Sequence, residues 1–302
     1  MTISEFAPVA LFVFARPEHT KATLKALSVN QYADKTDVIV FSDGPRNESD
    51  KDLVLQTRKI VRLVRGFKSL RLIEFSENRG LAKNIIQGVT DVSQEYGRVI
   101  VLEDDIVTSV SFLKFMNEAL RRYEFNHEVW HINGWNYPLV NNELPSTYFW
   151  RLMHCWGWAT WNDRWCKYNK DPRRLIETWT SKEINTFNLD GSYDFWSQIV
   201  DNDNGKLNTW AAFWYSTIFE NKGFCLSPSS SLTQNIGLDG SGANCSYSNA
   251  YQSKCGSENT WIWPIVINEN KVAIEHAKKY NKKINGGIVR KLLHDLYKTI
   301  IC

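Results

Sequence analysis

RVIVLEDDIVTS, residues 98–109, sets an apolar run, Val99 to Leu102, directly before three carboxylates in a row, Glu103, Asp104 and Asp105. A short apolar run of this kind reads as a buried strand. Three adjacent negative charges at its end repel one another unless a positive group joins them. The preceding segments fix the setting of this strand. PVALFVFAR (8–16), DVIVFSDGP (37–45) and SLRLIEFSEN (69–78) read as three more strands. Between them lie stretches of helical spacing, one carrying Leu24 and Leu27, the next Leu53, Ile60, Val61 and Val64, and a third closed by Gly97. Strand and helix in strict alternation mean parallel strands joined by right-handed crossovers, an open α/β sheet. Ligands of such sheets bind beyond the carboxyl ends of the strands.

Polar groups converge on that rim. The first strand ends at Ala15-Arg16-Pro17, the second at Ser42-Asp43-Gly44, the third at Glu77-Asn78-Arg79-Gly80 and the fourth at the triplet. No GxGxxG follows the first strand and no GxxxxGK[ST] occurs anywhere, which disfavours dinucleotide and P-loop classes. Hard cations such as Mg²⁺ and Mn²⁺ take oxygen ligands, typically one or two carboxylates plus substrate phosphates. An acidic cluster on a ligand-collecting rim suits that use, the alternative being a solvated acidic turn. Asp43 suits a base N–H or a ribose hydroxyl, and equally an Asx-type turn ahead of Gly44-Pro45. ENRGLAKN (77–84) opens a helix with Arg79 and Lys83 near its start, a setting favourable to phosphate.

Past a helix at 109–126 the alternation fails, and residues 128–270 read as short strands mixed with Trp-, Gly- and Ser/Asn-rich loops. All 13 tryptophans fall between Trp130 and Trp263, enough to serve both as core and as stacking platforms for sugar rings. The net charge of +3 gives no case for a nucleic-acid partner. The N-terminal stretch lacks a basic n-region and reads as a strand, not a signal peptide. No run approaches the length of a membrane span. The six cysteines show no zinc spacing and read as reduced thiols, although Cys245 and Cys255 are close enough in sequence to pair in an oxidising compartment.

Together VFARP (13–17), SDGP (42–45), ENRGLAKN and VLEDD (101–105) resemble the glycosyltransferases of the GT-A fold, broadly glycosyltransferase family 2. The closer likeness is to the N-acetylglucosaminyltransferase I type and its bacterial relatives. HCWGWATWNDRW (154–165) resembles the family's Gly-Trp segment, and SLTQNIGLDGSGANC (231–245) a late loop of bacterial members. The resemblance implies a Rossmann-like open mixed sheet. One domain would span 1–270, with a nucleotide-sugar-binding half over 1–115 and an acceptor half over 116–270, followed by a basic helical tail over 271–302. It implies an Mn²⁺- or Mg²⁺-dependent transfer from a nucleotide-diphosphate sugar, UDP-sugar favoured, to a saccharide acceptor, free or lipid-linked, in bacterial surface-glycan synthesis.

Carried onto this chain, the resemblance puts Ala15 and Arg16 beside the nucleotide, Asp43 at its base or ribose, and Arg79 and Lys83 near base or phosphate. Glu103 and Asp104 would meet the donor ribose or sugar, and Asp105 the metal. Gly157 and Trp158 would line the donor-sugar pocket, and Trp156 or Trp161 would stack on acceptor. Two departures stand out. NTWAAFW (208–214) has Ala211 and Ala212 where the family keeps a catalytic carboxylate, and Asn244 stands where bacterial members often have His. Asp239 is then the first candidate for general base, with Glu220 and Asp203 behind it. Ile288, Val289, Leu292, Leu293, Leu296, Tyr297, Ile300 and Ile301 share one helical face of the tail, with basic residues opposite. That pattern suits either a cytoplasmic protein peripheral on an anionic membrane or a helix packed on the domain. The rival functions are a sugar-phosphate nucleotidyltransferase and a non-catalytic carbohydrate-binding relative.

Overall fold

The structure is a computed structural model and describes residues 5–138, 143–239, 251 and 255–284. In chain order the first half runs β1 (Val9–Val13), α1 (Pro17–Ser28), β2 (Asp37–Ser42), α2 (Glu48–Leu63), β3 (Ser69–Glu74), α3 (Leu81–Tyr96), β4 (Arg98–Glu103), β5 (Ile106–Thr108) and α4 (Phe112–Arg122). The second half opens with β6 (Val129–Asn133), β7 (Thr147–Trp150) and β8 (Trp158–Trp161). Five short helices follow: α5 (Asn162–Trp165), α6 (Pro172–Thr178), α7 (Ser181–Phe187), α8 (Trp196–Asp203) and α9 (Ala211–Glu220). It closes with β9 (Phe224–Pro228), β10 (Thr233–Asn235) and α10 (Lys271–Ile284).

Eight strands form one mixed sheet in the order β3-β2-β1-β4-β8-β6-β9-β7. The expected parallel block is present: β1 pairs in parallel with β2 and β4, and β2 with β3. At β8 the direction reverses, since β8 runs antiparallel to both β4 and β6. The central strand β1 is buried throughout, while the edge strand β3 alternates between exposed and partly covered positions. Helices α1, α2 and α4 supply residues such as Leu24, Val61 and Leu113 to one hydrophobic layer. The opposite layer joins Ile85 and Val89 of α3 to Trp165 and Trp214.

The second half departs from the mixture of strands and loops expected there. Helices α5–α9 run from 162 to 220, and their aromatic residues are mostly core: nine of the 13 tryptophans are buried and the other four partly covered. None of the 13 stands open as a platform. Helix α10, within the tail expected over 271–302, buries Ala273, Ile274 and Ala277 in the layer shared with α3. The amphipathic pattern at 288–301, with Cys302, Asn244 and Cys245, lies outside the described residues, as does any Cys245–Cys255 pairing. Among the described residues Cys166, Cys225 and Cys255 form no disulfide. No described helix is long and apolar enough to cross a membrane.

Candidate nucleotide-sugar site

The carboxyl ends of β1, β2 and β4 meet around a cavity of about 350 Å³. Its floor carries Glu103, Asp104 and Asp105, and its side walls include Arg16, Asp43 and Asn78. The triplet belongs to two sheets at once. β4 ends at Glu103, and β5, beginning at Ile106, pairs with β10 in a separate two-stranded sheet. That pairing brings the loop after β10 onto the triplet: the Ile236 amide donates to the Asp105 carbonyl at 2.9 Å. The loop then passes so close that a Cβ on Gly237 would overlap the Asp105 carboxylate.

Three carboxylates here face one guanidinium. Arg16 Nη1 donates to Asp105 Oδ2 at 2.7 Å and lies 3.6 Å from Asp104 Oδ1. Asp104 Oδ2 also accepts from the Phe14 amide at 3.3 Å. Among the described residues no hydrogen-bond donor reaches the Glu103 carboxylate. Burial, reinforced by Asp105 and Asp104, raises the Glu103 carboxyl well above its ordinary range. Burial and then Asp105 push Asp104 up to about 7, with Arg16 pulling the other way. The site is therefore short of positive charge. A hard divalent cation fits that donor set, on one or two carboxylates with substrate phosphate and water completing its shell. No group of three or more acidic, His or Cys side chains among the described residues forms a whole shell by itself.

Asp43 behaves differently. Its carboxylate accepts from the amides of Gly44 (2.9 Å), Arg79 (2.8 Å) and Gly80 (3.0 Å) and from Asn78 Nδ2 (3.1 Å). A carboxylate offers about four lone-pair sites, and these four donors fill them. Asp43 thus lines the cavity and at the same time ties the end of β2 to the loop that starts α3. Gly44 is required for this, because a Cβ there would overlap the Glu77 backbone.

Other expected residues divide in the same way. Ala15 adjoins Arg16 on the rim; the Arg79 guanidinium covers the Phe75 ring at 4.3 Å, and Lys83 is exposed on the first turn of α3. Trp158 and Trp161 are corrected, both being sealed inside. Trp158 stacks on Trp210 and His131 at 5.3 and 5.1 Å. Trp161 donates Nε1 to the Leu120 carbonyl at 3.1 Å, beneath the Arg164 guanidinium. Neither ring can meet a sugar. Gly157 packs against Thr233 and Leu102, and Trp156 lines a second cavity.

Of the three candidate bases, the fold brings Asp239 to the triplet. Its Oδ1 lies 3.8 Å from Arg16 and its Oδ2 3.0 Å from His19 Nε2. Glu220 accepts from Arg174 at 2.8 Å on each oxygen and from Trp179 Nε1 at 3.1 Å, and Asp203 pairs with Arg173 at 3.6 Å. No described contact joins either to the triplet. Sequence reasoning missed His19, one helical turn after Arg16, and Asn84, buried in the first turn of α3 with Oδ1 unpaired among the described residues. It also missed Asn208, which reaches the cavity from the second half. The His19 spacing was a usable signal; nothing local marked Asn208.

No protein-family model and no curated protein matches this chain. Among solved structures, the mannosyltransferase PcManGT from Pyrobaculum calidifontis, in complex with GDP-Man and Mn²⁺, is similar over 72% of this chain and 70% of that one, at 10% identity and a TM-score of 0.40. TarS of S. aureus is similar over 45% of this chain and 22% of that one, at 15% identity and a TM-score of 0.30. Likenesses this loose leave the functional reading to the residues of the site.

Proposed function

We propose that this chain is a metal-dependent glycosyltransferase that moves a sugar from a nucleotide-diphosphate sugar, UDP-linked by preference, to a saccharide acceptor. One observation carries the reading: a cavity at the carboxyl ends of parallel strands whose floor holds three buried carboxyl groups against one arginine, Arg16, since the other arginine of its lining, Arg46, is paired with Asp50. A surface feature would let water and counterions settle those charges. Here burial holds protons on Asp104 and Glu103 that a bound cation would displace to solvent.

Asp105, with Asp104 or Glu103, would hold Mn²⁺ or Mg²⁺, which supplies Lewis-acid stabilisation of the departing diphosphate. Arg16, which donates to Asp105 at 2.7 Å, would turn from it to that diphosphate. Asp239, 3.0 Å from His19, would take the acceptor's proton. The acceptor enters from the second half, where Asn208 reaches the shared cavity. A lipid-linked acceptor in bacterial surface-glycan synthesis and a peripheral cytoplasmic location complete the proposal.

A thermal-shift panel tests it, with UDP-, GDP- and dTDP-sugars each offered with and without Mn²⁺. At a hundred times its Kd one donor should raise Tm by about 5 °C, only with the metal. Asp105→Asn should remove that shift and cut metal-dependent donor turnover by about 10²-fold or more. A chain that no nucleotide sugar stabilises, with or without metal, is not this enzyme.

A further inference from the structure

One segment of the second half, ENTWIWPIVINEN (258–270), is fastened along β7, the last strand in the sheet order. It is pinned at several points. Lys114 Nζ donates to the Asn259 carbonyl at 2.7 Å, the Ile262 amide to Ser146 Oγ at 2.7 Å, and Tyr123 Oη to the Pro264 carbonyl at 2.9 Å. At its end the Asn270 amide donates to the Phe149 carbonyl at 2.8 Å. Trp261 and Trp263 turn inward, with ring centroids 5.0 and 5.4 Å from that of Phe115, which α4 buries.

Other residues of the segment turn outward. Ile262 is 77% exposed, Ile265 89% and Val266 66%. A loop that only covered a sheet edge would do better with polar side chains at these places, since apolar groups held in water are unfavourable. Single exposed aliphatics are ordinary; three within five residues of a pinned loop form a patch.

Positive charge stands beside it. Arg121 and Arg122, at the end of α4, line a hollow of about 360 Å³ together with Trp263 and Glu118. Both arginines are exposed, and neither has an ion-pair partner among the described residues. Glu118 has one, Lys114 at 3.9 Å. The hollow therefore offers an anion two guanidiniums without a counter-charge, walled by a tryptophan. Guanidinium suits phosphate because its N–H groups donate in pairs.

We propose that this face docks on a phospholipid membrane. The lipid phosphate enters the hollow lined by Arg121 and Arg122, Trp263 lies at headgroup level, and Ile262, Ile265 and Val266 reach the acyl boundary. A bilayer supplies that order of polarity without pockets shaped to protruding side chains. The segment already covers the edge of β7, so a second copy of the chain does not lengthen the sheet there. The docking face is separate from the amphipathic pattern at 288–301 and does not depend on sugar transfer.

The test is co-sedimentation of the full chain with vesicles of phosphatidylcholine alone and of phosphatidylcholine mixed with phosphatidylglycerol. The chain should bind the anionic vesicles roughly tenfold more tightly than the zwitterionic ones. Ile262→Asp combined with Ile265→Asp should weaken binding to the anionic vesicles by about tenfold or more. Arg121→Gln combined with Arg122→Gln should cut the anionic preference by about threefold or more. An unchanged urea midpoint certifies the fold of both variants. No vesicle binding, or binding untouched by the two aspartates, overturns the proposal, the second result handing the membrane to another part of the chain. An anionic preference untouched in the arginine variant overturns the hollow as the phosphate site. A dimer in light scattering that the aspartates split, without vesicle binding, overturns the proposal in favour of a second copy. Vesicle binding with no nucleotide-sugar response leaves the docking face standing and overturns the transferase reading; the reverse pattern overturns the docking face alone.

Discussion

The ends of β2 and β4 lie one strand apart on the same rim, both carry carboxylates, and they stand in opposite electrostatic states. Asp43, after β2, is buried and fully paired, with four donors on two oxygens. The triplet after β4 is also buried and is underpaired, with one guanidinium for three acids. The fold uses the first to hold its own loops together. It leaves the second unsatisfied, a state that lowers stability and is retained where a ligand supplies what is missing. Two aspartates of the same strand-end type thus differ by what the rest of the chain brings to them.

Breaking the paired site should cost the most. Asp43→Ala strands three backbone amides in a buried position, and about 3 kcal/mol or more of stability goes with them. Urea denaturation should show the loss as a lower midpoint with an unchanged slope. A midpoint within experimental error of the parent would mean that water replaces the carboxylate, and that the β2 end is not the closed unit its hydrogen bonds describe.

The underpaired site should respond with the opposite sign. In the folded chain Asp104, at about 7, and Glu103, raised well above its ordinary range, keep protons that an unfolded chain has released. The folded state binds more protons, so this part of the stability is complete below about pH 4 and drains away as pH rises to about 7. Metal-free Tm should fall across that window, and Glu103→Gln should recover about 3 °C of it at pH 8. Saturating Mn²⁺ should raise Tm more at pH 8 than at pH 5.5, since at the lower pH it competes with bound protons. A metal effect of equal size at both pH values would show that the cation does not use these carboxylates.

How much of this was legible in the sequence follows from which forces are local. The β1–α3 alternation is written in the spacing of Val, Ile and Leu, and a strand buried on both faces can end only on the rim, so the triplet's position followed from residues 98–105. The split between Asp43 and the triplet was not legible. It depends on the loop at 78–80 folding back on β2 and on Gly44 allowing it, contacts 34 to 37 residues away in sequence. The aromatic half hid still more. Trp156 and Trp158 are two residues apart, and on a continuous strand would share a face; Gly157 between them, at a φ of 79°, turns the chain just before β8, so Trp158 stacks on Trp210 while Trp156 lines a cavity. Composition marks both as possible sugar platforms, and only the partner 52 residues downstream decides between them.

A third carboxylate sharpens the contrast from outside the rim. Glu220, at the end of α9, is paired like Asp43 but is partly exposed, its oxygens held by both terminal nitrogens of Arg174 and by Trp179. Burial works to raise its carboxyl, and Arg174 and Trp179 prevail and lower it. Its contribution therefore stays present at neutral pH and is lost only as pH falls through the carboxyl range. Pairing without deep burial yields little, so Glu220→Gln should cost about 1 kcal/mol at most. Because no described contact links Glu220 to the triplet, transfer rates should stay within about twofold of the parent, against the 10²-fold or larger loss that removing a general base produces. A loss of that larger size in Glu220→Gln, with stability intact, would return the base to α9 and dissolve the link between Asp239, His19 and the underpaired site.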